Sequence, residues 1–174
     1  MKSEKIIICG GSGSGKDHLL KGLIKKGERY EPKLTTRPMR DGEIDGIDYN
    51  FITEEKFNDL FEKDLIKAHQ HFRIKNKDWF YAITKENFTN NNLFVMTPVE
   101  LSFISKEERK GCFVVFLDIP EDIRKTRILE RNDNNDSVDR RIFADRIDFR
   151  YFSDYDMKIC DPEFDVNMVY GFAF

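Results

Sequence analysis

Short runs of consecutive apolar residues recur along the chain, with helical segments predicted between them. The runs are continuous rather than alternating, as in strands that are covered on both faces of a sheet. They lie at residues 4–9, 93–96, 113–117 and 157–160. Helices are predicted over residues 16–26, 100–109 and 121–131. Strands that alternate with helices favour the α/β class, with a parallel sheet flanked by helices and right-handed crossovers.

Residues 33–84 interrupt this alternation. Turn signals at Asp41-Gly42 and Asp45-Gly46 lie among shorter predicted elements, which are strands at 49–52, 65–72 and 79–83 and a helix at 54–63. We interpret this segment as a small mixed α+β insertion. The core of a single domain spanning residues 1–174 would then comprise residues 1–32 and 85–174.

Length and composition narrow the class of protein. A chain of 174 residues is the size of one domain, and its net charge of −3 argues against a broad nucleic-acid surface. No apolar run approaches the length that spans a membrane. Cys9, Cys112 and Cys160 are far apart in apolar runs without metal-ligand spacing, so we expect buried, reduced thiols and a cytoplasmic location.

A glycine-rich turn follows the first predicted strand and precedes the first predicted helix. Gly10, Gly15 and Lys16 fit the spacing G-x-x-x-x-G-K, in which backbone N–H groups surround a nucleotide's phosphates and the lysine reaches the outer ones. The alternative is a plain glycine-rich turn. The residues predicted to hold ATP are Gly11, Ser12, Gly13, Ser14, Gly15, Lys16 and Asp17.

Asp17 occupies the position where this motif has Ser or Thr. The usual hydroxyl ligates Mg²⁺, and Mg²⁺ also accepts carboxylate oxygen. Our hypothesis is that Asp17 takes over part of a magnesium site.

Residues 35–51 carry a second motif, which resembles the acceptor-phosphate segment of the guanylate kinase family. The family pattern T-T-R-x-x-R-x-x-E-x-x-G-x-x-Y is met at Thr35, Thr36, Arg37, Arg40, Glu43, Gly46 and Tyr49. The resemblance implies a P-loop NTPase core with an acceptor-binding insertion and a mobile lid at about residues 127–145. It also implies transfer of the γ-phosphate of ATP, with Mg²⁺, to a nucleoside monophosphate, by family default GMP or dGMP.

The resemblance assigns roles to several of these residues. Arg37, Arg40 and Tyr49 would bind the acceptor's phosphate, with Tyr81 as a fourth contact, and a planar guanidinium suits phosphate oxygens. Glu43 would hold an arginine in place, touch the acceptor, or be a surface carboxylate. The residues expected to act in catalysis are Lys16, Arg37, Arg131 and Arg141, the last two closing over the donor phosphates unless they are solvated surface charges.

The positions implied to contact guanine depart from the family. A serine, a glutamate and an aspartate are replaced by Lys33, Lys67 and Thr97. A carboxylate accepts hydrogen bonds from guanine, whereas lysine only donates. A non-guanine nucleotide or a phosphorylated sugar is therefore an alternative acceptor, since the added positive charge of Lys33 and Lys67 suits an extra phosphate. Ribose 1,5-bisphosphate is one such sugar, because the Gly-Lys-Asp ending resembles that of ribose 1,5-bisphosphate phosphokinases.

A non-catalytic guanylate-kinase-like binding module is a further alternative. The expected partners are small nucleotides, with neither nucleic acid nor membrane, and the protein would be a monomer or a homodimer.

Overall fold

The core of the protein is a parallel sheet with the strand order β6-β1-β7-β8. A computed structural model describes residues 3–74, 76–130 and 137–173. The core strands are β1 (Lys5–Gly10), β6 (Leu93–Val95), β7 (Cys112–Leu117) and β8 (Met157–Ile159), and each neighbouring pair is parallel. The predicted α/β class and parallel sheet are confirmed.

Helices cover both faces of this sheet, as the continuous apolar runs predict. The helices outside the insertion are α1 (Lys16–Lys25), α3 (Lys85–Asn90), α4 (Pro98–Leu101), α5 (Lys106–Lys110), α6 (Glu121–Glu130), α7 (Val138–Asp148) and α8 (Val166–Ala173). Ile6 and Ile8 pack on one face, in a cluster with Leu19 and Val169, whereas Ile7 packs on the other face, with a phenylalanine-rich cluster. Because β1 is buried on both faces, its carboxyl end is held rigidly at the centre of the sheet edge.

A second sheet, with the order β3-β2-β5-β4, forms the predicted insertion. Its strands are β2 (Leu34–Thr35), β3 (Asn50–Phe51), β4 (Ile66–Ile74) and β5 (Lys77–Thr84), and its helix is α2 (Glu54–Glu62). Phe57 of α2 stacks on Phe80 with ring centroids 4.3 Å apart, so α2 covers one face. The other face carries Thr35, Gln70 and Tyr81, which are direct cross-strand neighbours.

Two expectations are wrong. The single helix expected at residues 100–109 is two short helices, α4 and α5, because Thr97 and Ser105 each form a capping box that starts a new helix. Cys160 is exposed, whereas Cys9 and Cys112 are buried as expected. Burial raises the pKa of the Cys9 thiol to about 12 and that of Cys112 to about 11.

The carboxyl-terminal helix α8 completes the core. Val169 and Ala173 are buried in the same cluster as β1. Among the residues that the structure describes, no helix is long and apolar enough to cross a membrane.

Candidate active site

The glycine-rich turn joins β1 to α1 at the carboxyl edge of the core sheet. Gly15 has φ +95° and Gly13 has φ +75°, a region that L side chains rarely adopt. A Cβ at Gly13 would also lie 2.5 Å from the backbone oxygen of Arg124. Glycine is therefore required at both positions, and the loop can hold its N–H groups around an anion at the start of α1.

Lys16 is folded back onto this loop. Its Nζ donates to the carbonyl oxygens of Gly10 and Gly11, each at 2.8 Å. Burial lowers the pKa of Lys16. A phosphate bound at the loop would offer this ammonium group a charged partner in place of two carbonyl oxygens.

Asp17 lies exposed in the first turn of α1, directly after Lys16. Within the described ranges, no group of three or more His, Cys, Asp or Glu residues is arranged to hold a metal ion. Mg²⁺ is usually bound through one or two carboxylates together with substrate phosphates, so a single carboxylate beside a phosphate loop suits it. The predicted metal role of Asp17 stays a prediction.

The acceptor segment forms a compact cluster around Arg37, which is only 3% exposed. Its guanidinium donates to both oxygens of Glu43, at 2.9 and 2.7 Å, and its Nε donates to the Tyr81 hydroxyl at 3.1 Å. Glu43 also accepts from the Arg40 backbone N–H at 2.7 Å. Glu43 thus connects the two arginines of the motif and fixes the orientation of Arg37.

The ion pair between Arg37 and Glu43 stabilises the charged form of both side chains. Burial alone would raise the pKa of Glu43, but hydrogen bonds from Arg37 and the Arg40 N–H lower it overall. Burial opposes the charge on Arg37, and the Glu43 carboxylate more than offsets this and raises the pKa of Arg37. Both groups therefore remain charged at neutral pH.

Two tyrosines pack against the same arginine. The rings of Tyr49 and Tyr81 meet edge to face at 5.7 Å, and the Arg37 guanidinium lies 5.1 Å from the Tyr49 ring centre. Burial raises the pKa of Tyr49, so its hydroxyl keeps its proton and can donate to a phosphate oxygen. The structure brings together four of the five residues expected to bind the acceptor, Arg37, Glu43, Tyr49 and Tyr81, with the backbone of the fifth, Arg40.

The two arginines expected to close over the donor phosphates are Arg131 and Arg141. Arg131 lies outside the described residues, as do positions 132–136 of the expected lid. Arg141 lies in the second turn of α7.

Three side chains around the loop were missed at the level of sequence. Arg124 and Arg127 of α6 donate to the carbonyl oxygens of Ser12 and Gly13, at 3.3 and 3.4 Å. Asp145 of α7 accepts from the Ser12 N–H at 2.8 Å. The spacing of Arg124 and Arg127, three residues apart on one helix face, is a signal that could have identified this pair.

A cavity of about 200 Å³ opens beside the loop at the end of β7. The residues that line it include Gly11, Asp118, Arg124, Asp145 and Arg150. A charged cavity at the carboxyl edge of a parallel sheet is where ligands bind in open α/β folds.

The three positions implied to contact guanine are occupied by ion pairs and a cap. Lys33 Nζ donates to both oxygens of Glu100, at 2.8 and 2.9 Å, and Lys67 Nζ donates to both oxygens of Glu108, each at 2.7 Å. Thr97 is the N-cap of α4. The positive charge that favoured an acceptor with an extra phosphate is therefore neutralised at both lysines.

Another contact between the insertion and the core joins Gln70 to Asp148 of α7, with the amide nitrogen 3.3 Å from a carboxylate oxygen. Burial raises the pKa of Asp148, and the hydrogen bond from Gln70 opposes this rise. Gln70 is the cross-strand neighbour of Tyr81, so this contact lies on the same face of the sheet as Tyr81, which binds Arg37.

Comparisons with known proteins agree with this geometry. The family profile described as guanylate kinase matches residues 2–169. Guanylate kinase of Helicobacter pylori is 26% identical over 168 residues, covering 91% of this chain and 79% of the relative. That of Photobacterium profundum is 24% identical over 181 residues, covering 97% and 84%. The crystal structure of guanylate kinase from Anaplasma phagocytophilum has a similar fold, with a TM-score of 0.70, 19% identity, and coverage of 99% of this chain and 85% of that one.

Proposed function

The chain belongs to the guanylate kinase family, and on that premise we propose that it transfers the γ-phosphate of ATP to a nucleoside monophosphate, with GMP as the default acceptor. The observation that carries the proposal is the pair of phosphate sites in one domain. One is the loop that ends in Lys16, and the other is the cluster around Arg37. Two anions must be brought together for phosphoryl transfer, and each site offers one of them positive charge.

The donor site is the glycine-rich loop. Backbone N–H groups of residues 11–17, apart from that of Ser12, which donates to Asp145, would surround the ATP phosphates. Lys16 would exchange its two carbonyl partners for phosphate oxygens. Mg²⁺, when bound, neutralises charge on the phosphate oxygens during transfer. Asp17 would supply one carboxylate oxygen to it, with ATP phosphates supplying others.

The acceptor site is the arginine cluster of the insertion. Arg37 and Arg40 would bind the acceptor's phosphate, with hydroxyl donors from Tyr49 and Tyr81. Glu43 holds Arg37 by two parallel hydrogen bonds before any substrate arrives, so little reorganisation is needed on binding. Arg141, and Arg131 by resemblance, would stabilise the charge that develops on the transferred group.

The test is ADP release by the purified protein with ATP and Mg²⁺ across a panel of acceptors. The panel contains GMP, dGMP, AMP, CMP, UMP, dTMP and ribose phosphates, with a reaction lacking acceptor to measure ATP hydrolysis. We expect acceptor-dependent ADP release with GMP or dGMP, and loss of roughly 1,000-fold or more in Lys16→Met, since the lysine is central to the donor site. No turnover with any acceptor at millimolar concentration would refute the proposal.

Lys33 and Lys67 favour a second candidate, a kinase for a non-guanine nucleotide or a phosphorylated sugar. They stand where the resemblance implies guanine contacts, and neither can accept a hydrogen bond from guanine's N–H groups. An acceptor with an extra phosphate would have to compete with Glu100 and Glu108 for these lysines. The same panel separates the candidates, because the preferred acceptor has the highest kcat/KM.

A non-catalytic binding module is the remaining alternative, and the intact glycine-rich loop argues against it. Titration calorimetry with ATP and Mg²⁺ decides this point separately from turnover. A kinase should bind the nucleotide, whereas a module that had lost its donor site should give no heat.

A further inference from the structure

The side chain of Asp145 joins helix α7 to the glycine-rich loop. Its Oδ2 accepts from the Ser12 backbone N–H at 2.8 Å and from the Arg124 guanidinium at 2.8 Å. Side-chain exposure is 15% for Asp145 and 12% for Arg124, so water has limited access to the pair. An ion pair of this kind is less screened than one on the open surface.

Arg124 is itself held on both sides of this contact. Its Nε donates to the Ile119 carbonyl oxygen at 3.1 Å, just beyond β7, and its NH1 donates to the Ser12 carbonyl oxygen at 3.3 Å. Arg124 therefore connects the end of a central strand to the loop, and Asp145 contacts a fixed group rather than a flexible side chain.

Gly11 shows how closely the pair approaches the loop. A Cβ at this position would lie 2.4 Å from Arg124 NH1 and 2.8 Å from Asp145 Oδ2. The absence of a side chain at Gly11 is what admits both groups against the backbone. The contact is thus part of the loop's packing.

The negative charge of Asp145 must be neutralised, because it lies beside the proposed phosphate site. A carboxylate beside a phosphate site repels the substrate unless a cation neutralises it. Arg124 supplies that cation at hydrogen-bond distance, so α7 can be fixed to the loop by a charge-assisted bond at little electrostatic cost to ATP binding.

The position of Asp145 on α7 links its contact with the loop to the proposed role of Arg141. Arg141 lies four residues before Asp145 in α7, so the two side chains share one face, one turn apart. Because Asp145 is bonded to the loop, the face of α7 that carries Arg141 is held one helical turn from that contact.

We propose that Asp145 is a positioning residue, which through its bonds to the Ser12 N–H and Arg124 holds α7 so that Arg141 reaches the transferred phosphate. The inference rests on the proposed kinase function. Asp145 does not touch the substrates itself, and its effect on the rate passes through Arg141.

A double-mutant cycle on kcat tests this role. We expect Asp145→Ala to lower kcat by about 10- to 100-fold, as small misplacements of catalytic groups do, with KM for ATP changed less than about threefold. In an Arg141→Ala background the same substitution should change kcat less than about twofold, because the group it positions is gone. Equal fold-losses in the two backgrounds, or an unchanged kcat in Asp145→Ala, would overturn the inference.

The conservative variant separates positioning from general destabilisation. Asp145→Asn keeps an oxygen that accepts from Ser12 but loses the ion pair, so we expect a smaller loss in kcat of about 3- to 10-fold. If Asp145→Ala does not fold, this variant decides, and full activity in it would contradict the proposal.

Glu121→Gln is the matched control. Glu121 of α6 pairs with Arg146 of α7 at 2.6 and 2.7 Å, so it also joins the two helices but does not touch the loop. Its kcat should stay within about twofold of the wild type, since exposed pairs contribute little. A loss equal to that of Asp145→Ala would mean that any α6–α7 contact has the same effect, which contradicts the proposal.

Wild-type turnover is measured first in the same assay. An inactive wild type refutes the proposed function, and the role of Asp145 with it. An active wild type with an equally active Asp145→Ala refutes the role of Asp145 alone.

Discussion

Each end of the insertion contains ion pairs, but the pairs at the two ends join different parts of the chain. At one end, Arg37 donates to both Glu43 and Tyr81 within residues 33–84, and the ion pair joins positions only six residues apart. At the other end, Lys33 and Lys67 each pair with a glutamate of the core. Lys33 contacts Glu100, 67 residues away.

The glutamates at this second end have two functions each. Glu100 closes the capping box of α4 and also binds Lys33, while Glu108 closes the capping box of α5 and also binds Lys67. The two short helices therefore present their capping carboxylates to the insertion.

The difference separates ligand binding from attachment. The cluster around Arg37 is held by contacts within its own segment, and its tyrosine hydroxyls can donate to a phosphate oxygen, which suits a site that binds a phosphate. The Lys33 and Lys67 pairs connect the insertion to the core, which suits a fixed junction. The comparison predicts that substitutions at the first end reduce activity and that substitutions at the second end reduce stability.

The largest effect is expected from Arg37→Ala. Four of the five N–H groups of Arg37 donate within the protein, so one is left for the acceptor's phosphate. Losing that charge-assisted hydrogen bond costs about 1.5 to 3 kcal/mol, and it also leaves the Glu43 carboxylate uncompensated beside the phosphate. Together these changes should lower kcat/KM for the acceptor by roughly 1,000-fold. KM for ATP should change little, because the donor site is separate. Steady-state kinetics with each substrate varied in turn measures both values.

Arg37→Lys serves as the control for charge. Lysine keeps the positive charge but cannot bind Glu43 or a phosphate through a planar pair of N–H groups. It should therefore recover only part of the activity. Full recovery would show that the geometry set by Glu43 is unimportant.

The next effect concerns the buried pair at the other end. Glu100 is fully buried and the Lys33 side chain is 12% exposed, so Glu100→Gln leaves a nearly buried ammonium group without its counter-charge. We expect the free energy of unfolding to fall by about 3 to 5 kcal/mol. For a domain of this size the thermal midpoint should fall by about 10 °C.

A double substitution distinguishes the pair's charge from its packing. In Lys33→Met/Glu100→Leu both charges are replaced by apolar groups of similar size, which is often neutral or stabilising for a buried pair. The thermal midpoint should therefore return most of the way to the wild-type value. A double variant as unstable as Glu100→Gln would mean that the cap at Thr97, rather than the ion pair, dominates.

The same contrast explains what the sequence could predict. The sheet of the core follows from continuous apolar runs such as Ile6–Ile8, which are buried on both faces. The Arg37 cluster follows from a motif whose members lie close together along the chain. The break between α4 and α5 is also present in the sequence, as the capping patterns Thr97-x-x-Glu100 and Ser105-x-x-Glu108, although a single helix is predicted there.

The ion pairs and hydrogen bonds between residues far apart in the chain have no local sequence pattern that predicts them. Nothing near Lys33 or Lys67 in the chain indicates a carboxylate partner, because the partner is brought close only when the insertion packs on the core. The bond from Asp145 to Ser12 spans 133 residues and is equally invisible to local patterns. The exposure of Cys160 was missed for a related reason, since β8 ends at Ile159 and an apolar run does not show where its strand stops.

The smallest effect, and the one with a defined pH range, is expected from Glu108→Gln. Hydrogen bonds from Lys67 lower the pKa of Glu108 to about 2 from its ordinary value of 4.5. Because the charged form is favoured in the folded state, this pair stabilises the protein above pH 4.5, and its contribution is lost as the pH falls toward 2.

The Glu108 side chain is 36% exposed, so solvent screening limits the effect at pH 7 to about 1 kcal/mol or less. Urea midpoints of wild type and Glu108→Gln should differ slightly at pH 7, begin to converge below pH 4.5 and meet near pH 2. Glu107→Gln, at a side chain 81% exposed and paired within its own helix, should follow the wild type throughout. A difference for Glu108→Gln as large as that for Glu100→Gln would break the distinction between the two junction pairs, since it would require the exposed pair to be as well shielded from water as the buried one.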